Sequence, residues 1–118
     1  MNVLAAILLA STSLHVTVWP NGQGHAPKRT YSLRCTPAAG GTLPQRVAAC
    51  ARLAKLKKPF AATPKNVACS EIYGGPQTAL VTGRFRGVLV RSWFSRRDGC
   101  EIDRWTRVGF LFPATNSS

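Results

Sequence analysis

Thr78-Ala79-Leu80-Val81-Thr82 and Val88-Leu89-Val90-Arg91-Ser92-Trp93-Phe94 are two β-branched and aromatic runs joined by Gly83-Arg84-Phe85-Arg86-Gly87. Such runs on either side of a glycine-bounded turn read as a β-hairpin. Upstream, Leu14-His15-Val16-Thr17-Val18 and Tyr31-Ser32-Leu33-Arg34-Cys35 alternate apolar and polar residues, the period of half-buried strands. Pro20 to Lys28 between them is rich in Pro, Gly, Asn and Gln and reads as a loop. Downstream, Val108, Phe110 and Phe112 alternate again and predict a last strand.

Helical signals are fewer. Thr42 is placed to cap a helix from about Pro44 to Leu56, with Val47, Cys50, Ala51 and Ala54 on one face. Arg52, Lys55, Lys57 and Lys58 gather at its end, where cations favour the helix dipole, and Pro59 stops it. Glu101 to Trp105 reads as one helical turn. Ala61 to Pro76 has little periodicity and reads as a long loop holding Cys69. The sum is an α+β domain of mainly antiparallel strands.

The chain has 118 residues, the size of one domain, and a formal net charge of +12 from 16 Lys+Arg and 4 Asp+Glu. Its 45% apolar content is that of a globular protein, so the charge does not imply disorder. No apolar run approaches the length of a membrane-spanning helix. Catalysis has little to work with. A Ser-His-Asp arrangement must use His15, on a proposed strand, or His25, in a loop. The expectation is therefore that the chain is not an enzyme.

Val3 to Ala10 is a short apolar core followed by small residues, the pattern of the back half of a secretory leader, although no Lys or Arg precedes it. Residues 1–13 are read as the remnant of a signal peptide, and 14–118 as the domain. Cys35, Cys50, Cys69 and Cys100 form no C-x-x-C pair, and the histidines lack zinc-ligand spacing, so no metal or other cofactor is expected. An even cysteine count in a small exported domain implies two disulfides, for which three pairings are possible.

A further pattern runs through Cys35-Thr36-Pro37-Ala38-Ala39-Gly40-Gly41-Thr42-Leu43-Pro44, Ala49-Cys50 and Leu53. It continues in Cys69-Ser70-Glu71-Ile72-Tyr73 with Pro76, in Gly83, Phe85 and Gly87, and in Cys100-Glu101. It resembles the bacterial subtilisin inhibitor-like family, from about Leu14 to Pro113. The resemblance implies a five-stranded antiparallel sheet with two helices, disulfides Cys35–Cys50 and Cys69–Cys100, a homodimer, and a secreted inhibitor of an extracellular serine protease. It places the reactive bond at Glu71–Ile72, in a loop with Ala68, Cys69, Ser70 and Tyr73. This sequence departs from the family where it has Glu71 in place of Met, Lys or Arg, Ser70 in place of Pro, and an added glycine in Tyr73-Gly74-Gly75-Pro76. The expected target is a subtilisin-like or a glutamate-selective protease; a Glu entering the primary pocket costs desolvation unless the pocket offers a cation or donors, which makes the glutamate-selective enzyme the better match.

The charge supports a rival reading. Arg84 and Arg86 flank Phe85, and Lys57-Lys58 and Arg96-Arg97 form further pairs. Basic residues beside an exposed aromatic suit an anionic polymer or surface. No recognisable nucleic-acid motif accompanies them.

Overall fold

The computed structural model describes residues 11–35 and 38–113. Strand β1 (Ser13–Trp19) and β2 (Arg29–Arg34) precede helix α1 (Arg46–Leu53). Strands β3 (Thr78–Phe85) and β4 (Val88–Ser95) follow, then helix α2 (Gly99–Arg107) and a 3₁₀ turn at Gly109–Leu111. The sheet is antiparallel throughout, in the order β2-β1-β3-β4.

The alternation in β1 sets the buried face. Leu14, Val16 and Val18 are buried, opposite Leu33 of β2 and Val81 and Ala79 of β3. Phe94 of β4 lies across from Ala79 and is buried as well. Leu43, Ala49, Leu53, Trp105, Val108, Leu111 and Phe112 complete one core. Phe112 packs on Phe94 and Trp105 at ring distances of 5.3 and 4.6 Å. Each such aliphatic or aromatic side chain contributes about 1.5–3 kcal/mol on burial.

The sheet has four strands, not five. The segment around Val108–Phe112 forms the 3₁₀ turn, with Leu111 N–H donating to the Val108 carbonyl and Phe112 N–H to Gly109. Val108, Leu111 and Phe112 are buried while Phe110 is only half-buried. The helical spacing of those three outweighs the alternation of Val108, Phe110 and Phe112.

Helix α1 is shorter than its sequence pattern. It starts at Arg46, after Gln45 in a left-handed conformation (φ 54°) with no side-chain cap. Thr42 is used elsewhere: its Oγ1 accepts from Ser32 N–H at 2.9 Å, and its N–H donates to the Ser32 carbonyl. The buried face is Ala49 and Leu53, and Val47 points to solvent. Helix α2 exceeds the single turn expected, because the Asp98 side chain caps it by accepting from Glu101 N–H at 2.9 Å.

The disulfides are Cys35–Cys50 and Cys69–Cys100, and no described cysteine is free. The first joins the end of β2 to α1; the second joins the long connection between α1 and β3 to the start of α2. That connection has no helix or strand of its own. Phe60, early in it, packs edge-on to Phe85 and Phe94 at 5.3 and 6.4 Å. The leader assignment falls mainly on residues 1–10, which lie outside the described residues.

Candidate functional site

The chain leaving Phe60 is held at several points before it reaches β3. The first is a buried ion pair on α2. The Arg104 guanidinium donates to Glu101 Oε1 at 2.7 Å, to the Ala61 and Trp93 carbonyls at 3.0 Å each, and to Ser92 Oγ at 2.9 Å. Its plane lies over the Phe94 ring, 4.3 Å from the centroid. The second Glu101 oxygen accepts from the Thr63 hydroxyl at 2.9 Å. Residues Ala61 and Thr63 are thereby fixed to helix and sheet together.

Cys69 is tied to Cys100, the second residue of α2. The Ser70 carbonyl accepts from Gly99 N–H at 2.9 Å. Glycine at 99 leaves room for that approach: a Cβ there would require the Ser70 hydroxyl to turn away. After a three-residue gap the chain is held again. Gly74 N–H donates to the Arg96 carbonyl at 2.7 Å, and Arg96 Nε donates back to the Gly74 carbonyl at 3.0 Å. A Cβ at 74 would press on the Ile102 side chain. Arg96 thus pins the backbone at the first glycine of Gly74-Gly75.

Between these anchors stand Glu71, Ile72 and Tyr73, all exposed, the last two at 65% and 67%. Ala68 and Ser70 are exposed too, and Cys69 is half-buried. The residues expected at a reactive bond thus lie together on one tethered, solvent-facing bend. Ile72 shares a hollow with Gly99, Ile102 and Asp103 on α2. Cys69, Asp98 and Cys100 bring ligand atoms within 4.8 Å of one another, but both sulfurs are spent in the disulfide.

Sequence reasoning missed the clamps. Glu101 and Arg104 sit three residues apart in a helix, a spacing that signals a pair. Arg96 gave no signal except as half of a basic pair. Two of the cations proposed for a polyanion donate to backbone carbonyls of the chain itself. Arg84 donates to the Gly87 carbonyl, and Arg86 donates to the Leu53, Ala54 and Leu56 carbonyls at the end of α1.

A small α+β domain, braced by two disulfides, that displays a short bend pinned on both sides belongs to the class of scaffolds built to present a loop. The subtilisin inhibitor-like family model matches residues 10–96, and the chain belongs to that family. The family is one of protease inhibitors, not of enzymes. A subtilisin inhibitor of Streptomyces violaceus is 35% identical over 88 residues, covering 73% of this chain and 54% of that protein. The chain thus spans about half the length of that relative. The fold is also that of Streptomyces caespitosus sermetstatin, solved in complex with Bacillus licheniformis subtilisin. The TM-score is 0.55 at 23% identity, covering 87% of this chain and 98% of that one.

Proposed function

We propose that this chain is a secreted inhibitor that offers Glu71–Ile72 to a serine protease as a substrate-like bond. One observation carries the reading. Glu71, Ile72 and Tyr73 are exposed between the Ser70–Gly99 and Gly74–Arg96 anchors, with Cys69 tied to Cys100. A loop ordered before binding does not subtract its ordering entropy from affinity. Complexes of this kind bury a standard interface area and still reach high affinity. The same anchors hold both ends of a cleaved Glu71–Ile72 bond in place, so the bond re-forms rather than releasing product.

Glu71 would occupy the enzyme's primary pocket, and the target is a glutamate-selective protease. The tests are inhibition of a panel that includes such an enzyme, subtilisin and trypsin, and mapping of any slow cleavage. Cleavage after Glu71, with tightest inhibition of the glutamate-selective enzyme, is expected. Cleavage at another bond defeats the loop assignment.

A homodimer belongs to the same reading. The sheet face away from the core carries Leu80 and the stacked Trp19 and Trp93 rings, 5.7 Å apart. Sedimentation would reveal the pair, and a monomer at all concentrations would remove it.

A further inference from the structure

Strand β4 has a neighbour on one side only. In an antiparallel strand the N–H and C=O of one residue point the same way, and successive residues point to opposite sides. The β3–β4 turn has two residues, Arg86 and Gly87, both at positive φ (51° and 81°). Phe85 and Val88 are then the closing hydrogen-bonded pair, and the even-numbered residues of β4 bond to β3. Leu89, Arg91 and Trp93 turn their backbone groups outward. The Trp93 carbonyl, which accepts from Arg104, agrees with that assignment.

The outer edge is therefore closed at one end and open at the other. Arg104 takes the Trp93 carbonyl, and Ser92 Oγ donates to Phe60 O at 3.1 Å. The outward groups of Leu89 and Arg91 meet no loop or helix backbone among the described residues. Alongside them the segment from Lys57 to Ala61 forms the other wall of a groove of about 330 Å³. Val88 and Leu89 line it, 68% and 73% exposed, with side chains on opposite faces of the strand. Lys57, Lys58 and Arg91 line it and no acidic residue does. Nor does any of these cations have an ion-pair partner among the described residues.

We propose that this open half-edge of β4 accepts an acidic peptide in extended form as an added strand. The peptide's backbone would bond the outward groups of Leu89 and Arg91. On one face its carboxylates would meet Lys57 and Lys58, and on the other its apolar side chains would meet Leu89 and the aliphatic stem of Arg91. The charge selects the partner. A second copy would bring the same cations against one another, the arrangement that keeps sheet edges from pairing with themselves. A polyphosphate satisfies the cations and leaves the outward carbonyls of Leu89 and Arg91 without donors. This surface lies apart from the Glu71 loop, and the proposal does not depend on the inhibitory reading.

The test is a titration of the full chain with a blocked synthetic peptide of alternating Glu and Val, followed by amide shifts. Its Gln-for-Glu counterpart and polyphosphate are run in parallel. Expected are shifts at the Leu89 and Arg91 amides, and affinity lost at least about tenfold in the Lys57→Glu/Lys58→Glu variant and with the Gln peptide. Leu89→Pro removes an outward donor, keeps every cation of the groove and leaves the bonds to β3, so it should also weaken the peptide while leaving polyphosphate binding unchanged. No peptide binding overturns the proposal, as do shifts confined to other residues. Equal peptide affinity for Leu89→Pro and the parent chain reduces the groove to a charged surface. Association of the chain with itself through these amides assigns the edge to a second copy.

Discussion

A carboxylate held in solvent between two anchors reaches a protease pocket as a charge that must be desolvated. Glu71 is in that position, with Ser70 and Ile72 exposed beside it. Its side chain makes no bond that holds the loop, since the anchors are the backbone of Ser70 and Gly74. Its identity can therefore be exchanged without moving the loop. Glu71→Lys should turn the inhibitor towards trypsin-like enzymes, and Glu71→Met towards subtilisin. A favourable pocket contact of 2–3 kcal/mol corresponds to roughly 30–150-fold in inhibition constant. Inhibition constants of both variants against the enzyme panel check this. If every constant stays within error of the parent, Glu71 is not the contact residue. This position was legible only through the family pattern. As an isolated Glu in a loop it differs in no way from a solvated surface charge, and its meaning comes from anchors that lie 25 or more residues away in sequence.

At the scale of elements, the long connection between α1 and β3 is ordered by side chains from α2. Arg104 and Glu101 bond Ala61 and Thr63 of the connection and Ser92 and Trp93 of β4 at once. Both are buried, with side chains 9% and 11% exposed. Removing one partner leaves the other charge buried and unpaired, at a cost of about 3–5 kcal/mol. Arg104→Met should therefore lower unfolding stability by about that amount, whereas Glu101→Gln, whose amide oxygen still accepts from Arg104 while its NH2 donates to the Thr63 hydroxyl, should cost less. Urea unfolding measures both. Equal, small losses would show that the pair is solvated rather than a clamp. The hairpin itself was readable from its glycines and β-branched runs. The turn was narrower than it looked, because β3 continues through Phe85 and only Arg86 and Gly87 make the reversal. Arg86 tolerates its left-handed backbone because its guanidinium caps α1 and its N–H donates to Thr12 Oγ1. Short-range patterns do not report a bond from the hairpin tip to a helix end 30 residues earlier. The misread last strand has the same origin: Val108, Phe110 and Phe112 fit a strand locally, and burial against Phe94 and Trp105 decided for the 3₁₀ turn.

For the whole molecule, two disulfides of similar leverage serve different purposes. Cys35–Cys50 closes 15 residues and Cys69–Cys100 closes 31. In the chain-entropy model these are worth about 3 and about 3–4 kcal/mol, close enough that stability alone would not tell them apart. Their positions do. The first fastens α1 to β2, remote from the Glu71 bend; the second lies two residues before Glu71 and joins the bend to α2. A loop freed from α2 gains conformations that binding must remove, and a cut bond whose ends separate no longer re-forms. Cys35→Ser/Cys50→Ser and Cys69→Ser/Cys100→Ser should therefore lose comparable unfolding free energy. Only the second should change from inhibitor towards substrate, with faster hydrolysis at Glu71–Ile72 at a temperature where both variants remain folded. Unfolding curves and the rate of cleavage by the inhibited protease are read on the same samples. If both variants are hydrolysed at rates that track only their unfolded fractions, the tether does not order the bend, and the inhibitory geometry must rest on Arg96, Gly99 and the buried Arg104 pair.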